Sequence, residues 1–243
     1  MKKFALAAGA VALAASGLTA CGSSTKTLTV LAASSLKPVF TQLKTQFEKE
    51  HPGMRVVFQF GGSSDLAADV NAGQSADVFA SADVKNMGKV GSAAVSPTKF
   101  ATNVLEIATP PGNRKHVRSF ADLAHVTLVE CAAEVPCGSA ADKLATILGV
   151  RLKPASREQS VADVLGKVEA GQADAGVVYV TDVKAAGKAV TGVPIPGADR
   201  SINTYEIASL KNSPESALAA DWVTLVTGPN GQAALRAAGF GKP

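Results

Sequence analysis

The sequence predicts an α/β fold arranged as two lobes. Three observations point there. Short apolar runs, turns of small residues and amphipathic stretches follow one another in the order strand, turn, helix, strand. That order restarts after a polar loop near position 103. The chain has 243 residues, 47% hydrophobic and 18% charged, enough to bury a sizeable core and too apolar for a disordered chain.

The elements follow in order. Residues 28–32 are β-prone and end in Ala33-Ser34-Ser35. Leu36, Val39, Phe40, Leu43 and Phe47 recur at helical spacing, and His51-Pro52-Gly53 ends that helix. Residues 54–60 read as a strand closing on Gly61-Gly62-Ser63-Ser64-Asp65, after which Leu66 begins a helix. Residues 77–81 form a strand and 83–90 a helix. The second run has strands at 103–108 and 126–130, a short helix at Phe120, and a helix from Gly138 to near Gly149. Val161, Val164, Leu165 and Val168 mark an amphipathic helix, and 175–180 a buried strand. A strand at 202–210 and two helices, around Trp222 and over 232–238, complete the chain. The strands at 103–108 and 202–210 are the expected crossings. Lobe one then spans 27–104 plus 206–243, and lobe two spans 105–205.

The first 26 residues read as an address. Lys2 and Lys3 precede an apolar stretch too short for a comfortable membrane span, and Leu18-Thr19-Ala20-Cys21 follows. This resembles a bacterial lipobox: residues 1–20 would be a lipoprotein signal peptide, Cys21 the lipidated first residue, and 21–26 a tether. The two leader lysines supply half of the net charge of +4, so the basicity argues for no polyanionic partner. Only 12 aromatic residues argue against a base-stacking platform, and no nucleic-acid partner is expected. For Cys131 and Cys137, six positions apart, a disulfide, free thiols and a metal site are all open. An oxidising compartment favours the disulfide, and the scattered His51, His116 and His125 disfavour metal.

Enzyme signatures are missing. There is no Gly-x-Ser-x-Gly, no phosphate loop, no Gly-x-Gly-x-x-Gly, no His-Glu-x-x-His and no Cys-x-x-Cys. What the chain does offer is small, hydroxyl-bearing turns between strand and helix. Two lie in lobe one, at 33–36 and 61–65; two lie in lobe two, at 135–139 and 159–162. A helix start leaves about four backbone N–H groups unpaired and carries partial positive charge, so it attracts an anion without Lys or Arg. A single such Ser is more simply an N-cap; four turns on two lobes suit a cleft closing on a small oxyanion.

Several strings occur together: Ala-Ala-Ser-Ser-Leu (32–36), Gly-Gly-Ser-Ser-Asp-Leu (61–66), Ala-Asp-Val-Phe-Ala-Ser-Ala-Asp (76–83), Val-Pro-Cys-Gly (135–138) and Gly-Val-Val-Tyr-Val-Thr-Asp (176–182). In this order they resemble the molybdate-binding proteins of bacterial ABC transporters, from Leu28 to Phe240. The resemblance implies a type II periplasmic-binding-protein fold with mixed, mostly parallel sheets and a ligand cleft between the lobes. It implies no catalysis and no cofactor. The ligand would be molybdate or tungstate, held by Ser35 and Ser63 through hydroxyl and backbone N–H, by the backbone N–H of Cys137 and Val161, and by the phenol of Tyr179. These groups would contact molybdate oxygens, not the metal. The partners implied are a permease of the cytoplasmic membrane and its separate ATPase, with the binding protein a monomer held to the membrane by its lipid alone, on the outer face of the cytoplasmic membrane or in the periplasm.

Two positions depart from the family pattern. Asp65 stands where a small residue or Thr is usual: it either points outward as a helix-dipole partner or accepts a proton from hydrogen phosphate. Cys137 replaces a small residue, so a bond to Cys131 would brace the binding turn. A fully ionised oxyanion suits a donor-only site, whereas hydrogen phosphate would leave its proton unpaired. The alternatives are a sulfate, phosphate or phosphonate receptor of the same fold, a ferric-ion receptor using Tyr179 and Tyr205, a serine hydrolase, and an envelope scaffold without a cleft.

Overall fold

The computed structural model describes residues 25–243. The expected leader, and Cys21 as the expected site of lipidation, lie outside them. The strands are β1 (Lys26–Ala33), β2 (Met54–Gly61), β3 (Val78–Ser81), β4 (Ala94–Asn103), β5 (Leu105–Thr109), β6 (Leu128–Cys131), β7 (Ser156–Glu158), β8 (Ala175–Tyr179), β9 (Thr191–Pro194) and β10 (Asn203–Leu210). The helices are α1 (Lys37–Glu50), α2 (Ser63–Asn71), α3 (Val84–Lys89), α4 (Pro136–Leu148), α5 (Val161–Glu169), α6 (Val180–Ala186), α7 (Ser216–Thr227) and α8 (Pro229–Ala238). Among the described residues no helix is long and apolar enough to cross a membrane.

Two five-stranded sheets form two lobes. The first has the order β2-β1-β3-β10-β4 and the second β7-β6-β8-β5-β9. In each sheet four strands share one direction. The reversed strand is β10 in the first, antiparallel to β3 and β4, and β5 in the second, antiparallel to β8 and β9. The reversed strand is in each case the first one laid down after the chain changes lobe. The sheets are therefore mixed and mostly parallel, and the carboxyl ends of β1, β2, β3, β6, β7 and β8 turn toward the gap between the lobes.

The described structure adds elements that the sequence reading lacks. Residues 94–103 are a full strand, β4, and β7 and β9 are short strands. All three lie at sheet edges. Half of β4, residues 95–99, is exposed and contains Pro97, so that stretch carries none of the apolar alternation of a core strand. The buried strand read as 175–180 stops at Tyr179, because α6 starts at Val180. Helix α4 opens at Pro136, two residues before the expected Gly138, so Cys137 falls in its first turn. The return crossing comes earlier than 206: Asn203, Thr204 and Tyr205 pair with Asn103, Thr102 and Ala101 of β4 in the first sheet.

Each lobe has its own core. In lobe one α1 and α7 meet over the sheet, and the fully buried Trp222 takes the edges of Phe40 and Phe47 at centroid distances of 5.5 and 5.2 Å. Such edge-to-face contacts add to the area term. In lobe two α4 and α5 pack on β6 and β8 through Ala141, Leu144, Val164 and Val168.

Candidate functional site

The strand ends converge on a small cavity between the lobes, lined by Ala33, Ser34, Ser35, Gly61, Gly62, Ser63, Ala82, Val135, Pro136, Cys137, Val161 and Tyr179. All five residues singled out from the sequence (Ser35, Ser63, Cys137, Val161 and Tyr179) line it. No lining side chain carries a formal charge.

Three helix starts and one 3-10 turn point their first residues into it. On lobe one, Ser34–Leu36 forms the 3-10 turn that leads into α1, and α2 begins at Ser63. The N-cap of α2 is Gly62, which has no side chain to satisfy a first-turn N–H. On lobe two, α4 follows the N-cap Val135, which is equally unable to cap. Helix α3 shows the contrast: its N-cap Asp83 accepts the Asn86 N–H at 2.7 Å. Helix α5 is partly capped. Ser160 Oγ accepts the Asp163 N–H, and Ser34 Oγ of the other lobe accepts the Ala162 N–H at 3.4 Å, which leaves the Val161 N–H among the first-turn donors. Unpaired donors and the positive end of the helix dipole thus gather around one small space.

The side chains sharpen this. Ser63 Oγ accepts the Ala82 N–H at 2.9 Å, so its own proton is free to donate. Ser35 Oγ lies 2.9 Å from the Tyr205 hydroxyl. Tyr179 is 1% exposed, yet its hydroxyl has no hydrogen-bond partner among the described residues. It is the last residue of β8, at the carboxyl edge of the second sheet. Its ring stands edge to face with Tyr205 at 6.2 Å. Burial pushes the Tyr179 phenol well above its usual pKa, so it stays protonated. Cys137 Sγ is bonded to Cys131 Sγ, which ties the first turn of α4 to the end of β6. The turn is tight: a Cβ on Gly138 would meet the Ala132 carbonyl oxygen at 2.0 Å.

Asp65 is exposed on α2 and does not line the cavity, so no carboxylate there waits for a ligand proton. The sequence reading missed Gly62 as a contact point. A Cβ there would sit 2.0 Å from the Gln159 carbonyl oxygen of lobe two, so the absence of a side chain is what lets the lobes approach. It also missed Asn103 and Asn203, whose amides bridge the lobes. Asn103 Nδ2 donates to Thr181 Oγ1 at 2.8 Å, and Asn203 Nδ2 to the Ala82 and Pro136 carbonyls at 3.2 and 3.4 Å. Nothing in local sequence marks these asparagines; only the crossing positions hint at them.

Residues 28–241 match the family model of bacterial extracellular solute-binding proteins. The molybdate-binding protein ModA of Mycobacterium tuberculosis strain H37Rv is 43% identical over 261 aligned positions, spanning all of both chains. Among solved structures, the periplasmic molybdate-binding protein of Azotobacter vinelandii superposes with a TM-score of 0.77 at 24% identity, over 89% of this chain and 99% of that one. The sulfate-binding protein SubI of M. tuberculosis H37Rv shares the fold at a TM-score of 0.70 and 18% identity, over 88% and 86% of the two chains. Two mixed sheets facing across a cleft, the match along nearly the whole described chain and the full-length relative lead to one assignment: the chain belongs to the bacterial extracellular solute-binding protein family.

Proposed function

We propose that this protein captures molybdate, and tungstate with it, outside the cytoplasm and delivers the anion to an ABC importer. One observation carries the reading. The buried Tyr179 hydroxyl, a donor without a partner, lines a small uncharged cavity together with helix starts from both lobes. A buried dianion is costly unless fully hydrogen-bonded, and donors to an ionised acceptor are about twice as strong as neutral pairs. Ser35, Ser63 and Tyr179 supply hydroxyls, and Ser35, Ser63, Cys137 and Val161 supply backbone N–H groups. Because the site presents donors, it suits an oxyanion without a proton. The full-length likeness to a protein named for molybdate supports that anion over sulfate, which the fold alone accommodates equally well.

The wider reading follows the same family. The protein acts as a binding protein without catalytic residues, a monomer anchored through a lipid on Cys21. Its lobes close over the anion and the loaded form docks on a permease driven by a separate ATPase.

Isothermal calorimetry with molybdate, tungstate, sulfate and phosphate tests the proposal. Tight binding of the first two, weaker sulfate and still weaker phosphate are expected. A preference for sulfate or phosphate would overturn it.

A further inference from the structure

Behind Ser35 lies a chain of hydrogen bonds whose direction the surroundings dictate. Asn103 sits where β4 leaves the first sheet. Its Oδ1 accepts the Val104 N–H at 3.1 Å, and a backbone N–H can only donate, so the amide's Nδ2 end faces the other way. That end donates to Thr181 Oγ1 at 2.8 Å and to the Tyr205 hydroxyl at 3.3 Å. Tyr205 is completely buried, and burial holds its phenol protonated. With a donor arriving from Asn103, its own proton must find an acceptor, and Ser35 Oγ stands 2.9 Å away. The Ser35 hydroxyl then receives from Tyr205 and has its proton left for the cavity.

We infer that Tyr205, oriented by Asn103, is a positioning residue that holds the Ser35 hydroxyl as a donor toward the cavity and so makes the site select oxyanions lacking a proton. This rests on the oxyanion reading above. Ser63 reaches the same polarity through the Ala82 N–H. Both serines have a lone pair engaged from behind, so neither readily turns one toward a protonated ligand such as hydrogen phosphate. A Phe at 205 would free Ser35 to rotate and accept.

Calorimetry on the wild type, Tyr205→Phe, Ser35→Ala and the double variant, each with molybdate and with inorganic phosphate, tests this. Tyr205→Phe is expected to weaken molybdate binding about tenfold, the size of one lost charge-assisted bond, while phosphate binding holds or improves. In the Ser35→Ala background Tyr205→Phe should change molybdate affinity no further. Equal weakening for both anions, or an effect that persists without the Ser35 hydroxyl, would overturn the inference. Absence of molybdate binding in the wild type would instead remove the functional reading and the inference with it. If Tyr205→Phe gives no cooperative melt, Asn103→Asp serves. Its carboxylate would accept the Tyr205 hydrogen bond and reverse the chain, and measured at about pH 8.5, where phosphate like molybdate is a dianion, its added charge repels both anions alike. A lowered molybdate-to-phosphate affinity ratio supports the inference; an unchanged ratio overturns it.

Discussion

The two lobes reach the same chemistry by different means. Lobe one presents side-chain hydroxyls, Ser35 and Ser63, each aimed by a hydrogen bond from behind it, from Tyr205 and from the Ala82 N–H. Lobe two presents mostly backbone, and it holds that backbone by covalent and steric means: the Cys131–Cys137 bond, Pro136 in the first turn of α4, and Gly138 against the Ala132 carbonyl. A hydroxyl can rotate and needs a neighbour to fix its direction, whereas a peptide N–H points wherever the chain is locked. One lobe therefore relies on a polar network and the other on a rigid turn.

Four experiments would break or sharpen that contrast. The largest effect is expected where the lobes touch. Gly62→Ala places a Cβ in the space of the Gln159 carbonyl, and overpacking of this kind costs about 1–3 kcal/mol, so molybdate affinity should fall up to about a hundredfold in calorimetry. The melt of the unliganded protein should barely change, because Gly62 has ordinary extended backbone angles. Next comes Tyr179→Phe, the one side-chain donor of lobe two. It should lose roughly 1.5–3 kcal/mol of binding to a charged acceptor, again by calorimetry, with no loss of stability, since the hydroxyl has no protein partner to abandon. A drop in melting temperature instead would mean that the phenol serves the fold.

Removing the brace is expected to act on lobe two alone. Cys131→Ser with Cys137→Ser opens a short loop, a change of about 2 kcal/mol by loop-closure reasoning, readable by urea unfolding. Molybdate affinity should fall as the first turn of α4 loosens. Unchanged affinity would show that Pro136 and Gly138 hold the turn unaided.

The smallest effect is on pH dependence, and it too belongs to lobe two. Burial raises the Asp182 carboxyl to about 7, against an accepted hydrogen bond from the Tyr179 N–H at 2.9 Å that acts to lower it. Burial likewise raises Glu130 to about 7 despite Arg157 at 2.7 Å. Both groups bind a proton more tightly folded than unfolded. Their contribution is fully present below the unfolded pKa near 4 and is lost as pH rises through 7. The melting temperature should accordingly decline between pH 5 and 8, and Asp182→Asn should shrink the decline.

The sequence made some features of this molecule plain and hid others for a definable reason. Core strands such as β1 and β8, and helices such as α1 and α5, announce themselves because one face or both must be apolar. The edge strands β4, β7 and β9 are held by backbone pairing, and the first six residues of β4 and all of β7 and β9 are exposed or only half-buried, so no alternating apolar pattern records them. Tyr179 could be placed at a site only through the family resemblance, since an aromatic in a buried strand reads as core.

The sequence by itself determined where strand gives way to helix, and hence which small residues carry open N–H groups; that is a local matter of backbone sterics and periodicity. Only the tertiary structure decided that these starts face one another, that Gly62 must lack a side chain to meet Gln159, and that Asn103 and Tyr205 stand behind Ser35. Those facts join residues as far as 170 positions apart. Such contacts exist only once two sheets have packed and the chain has crossed between them twice, and no local propensity encodes them.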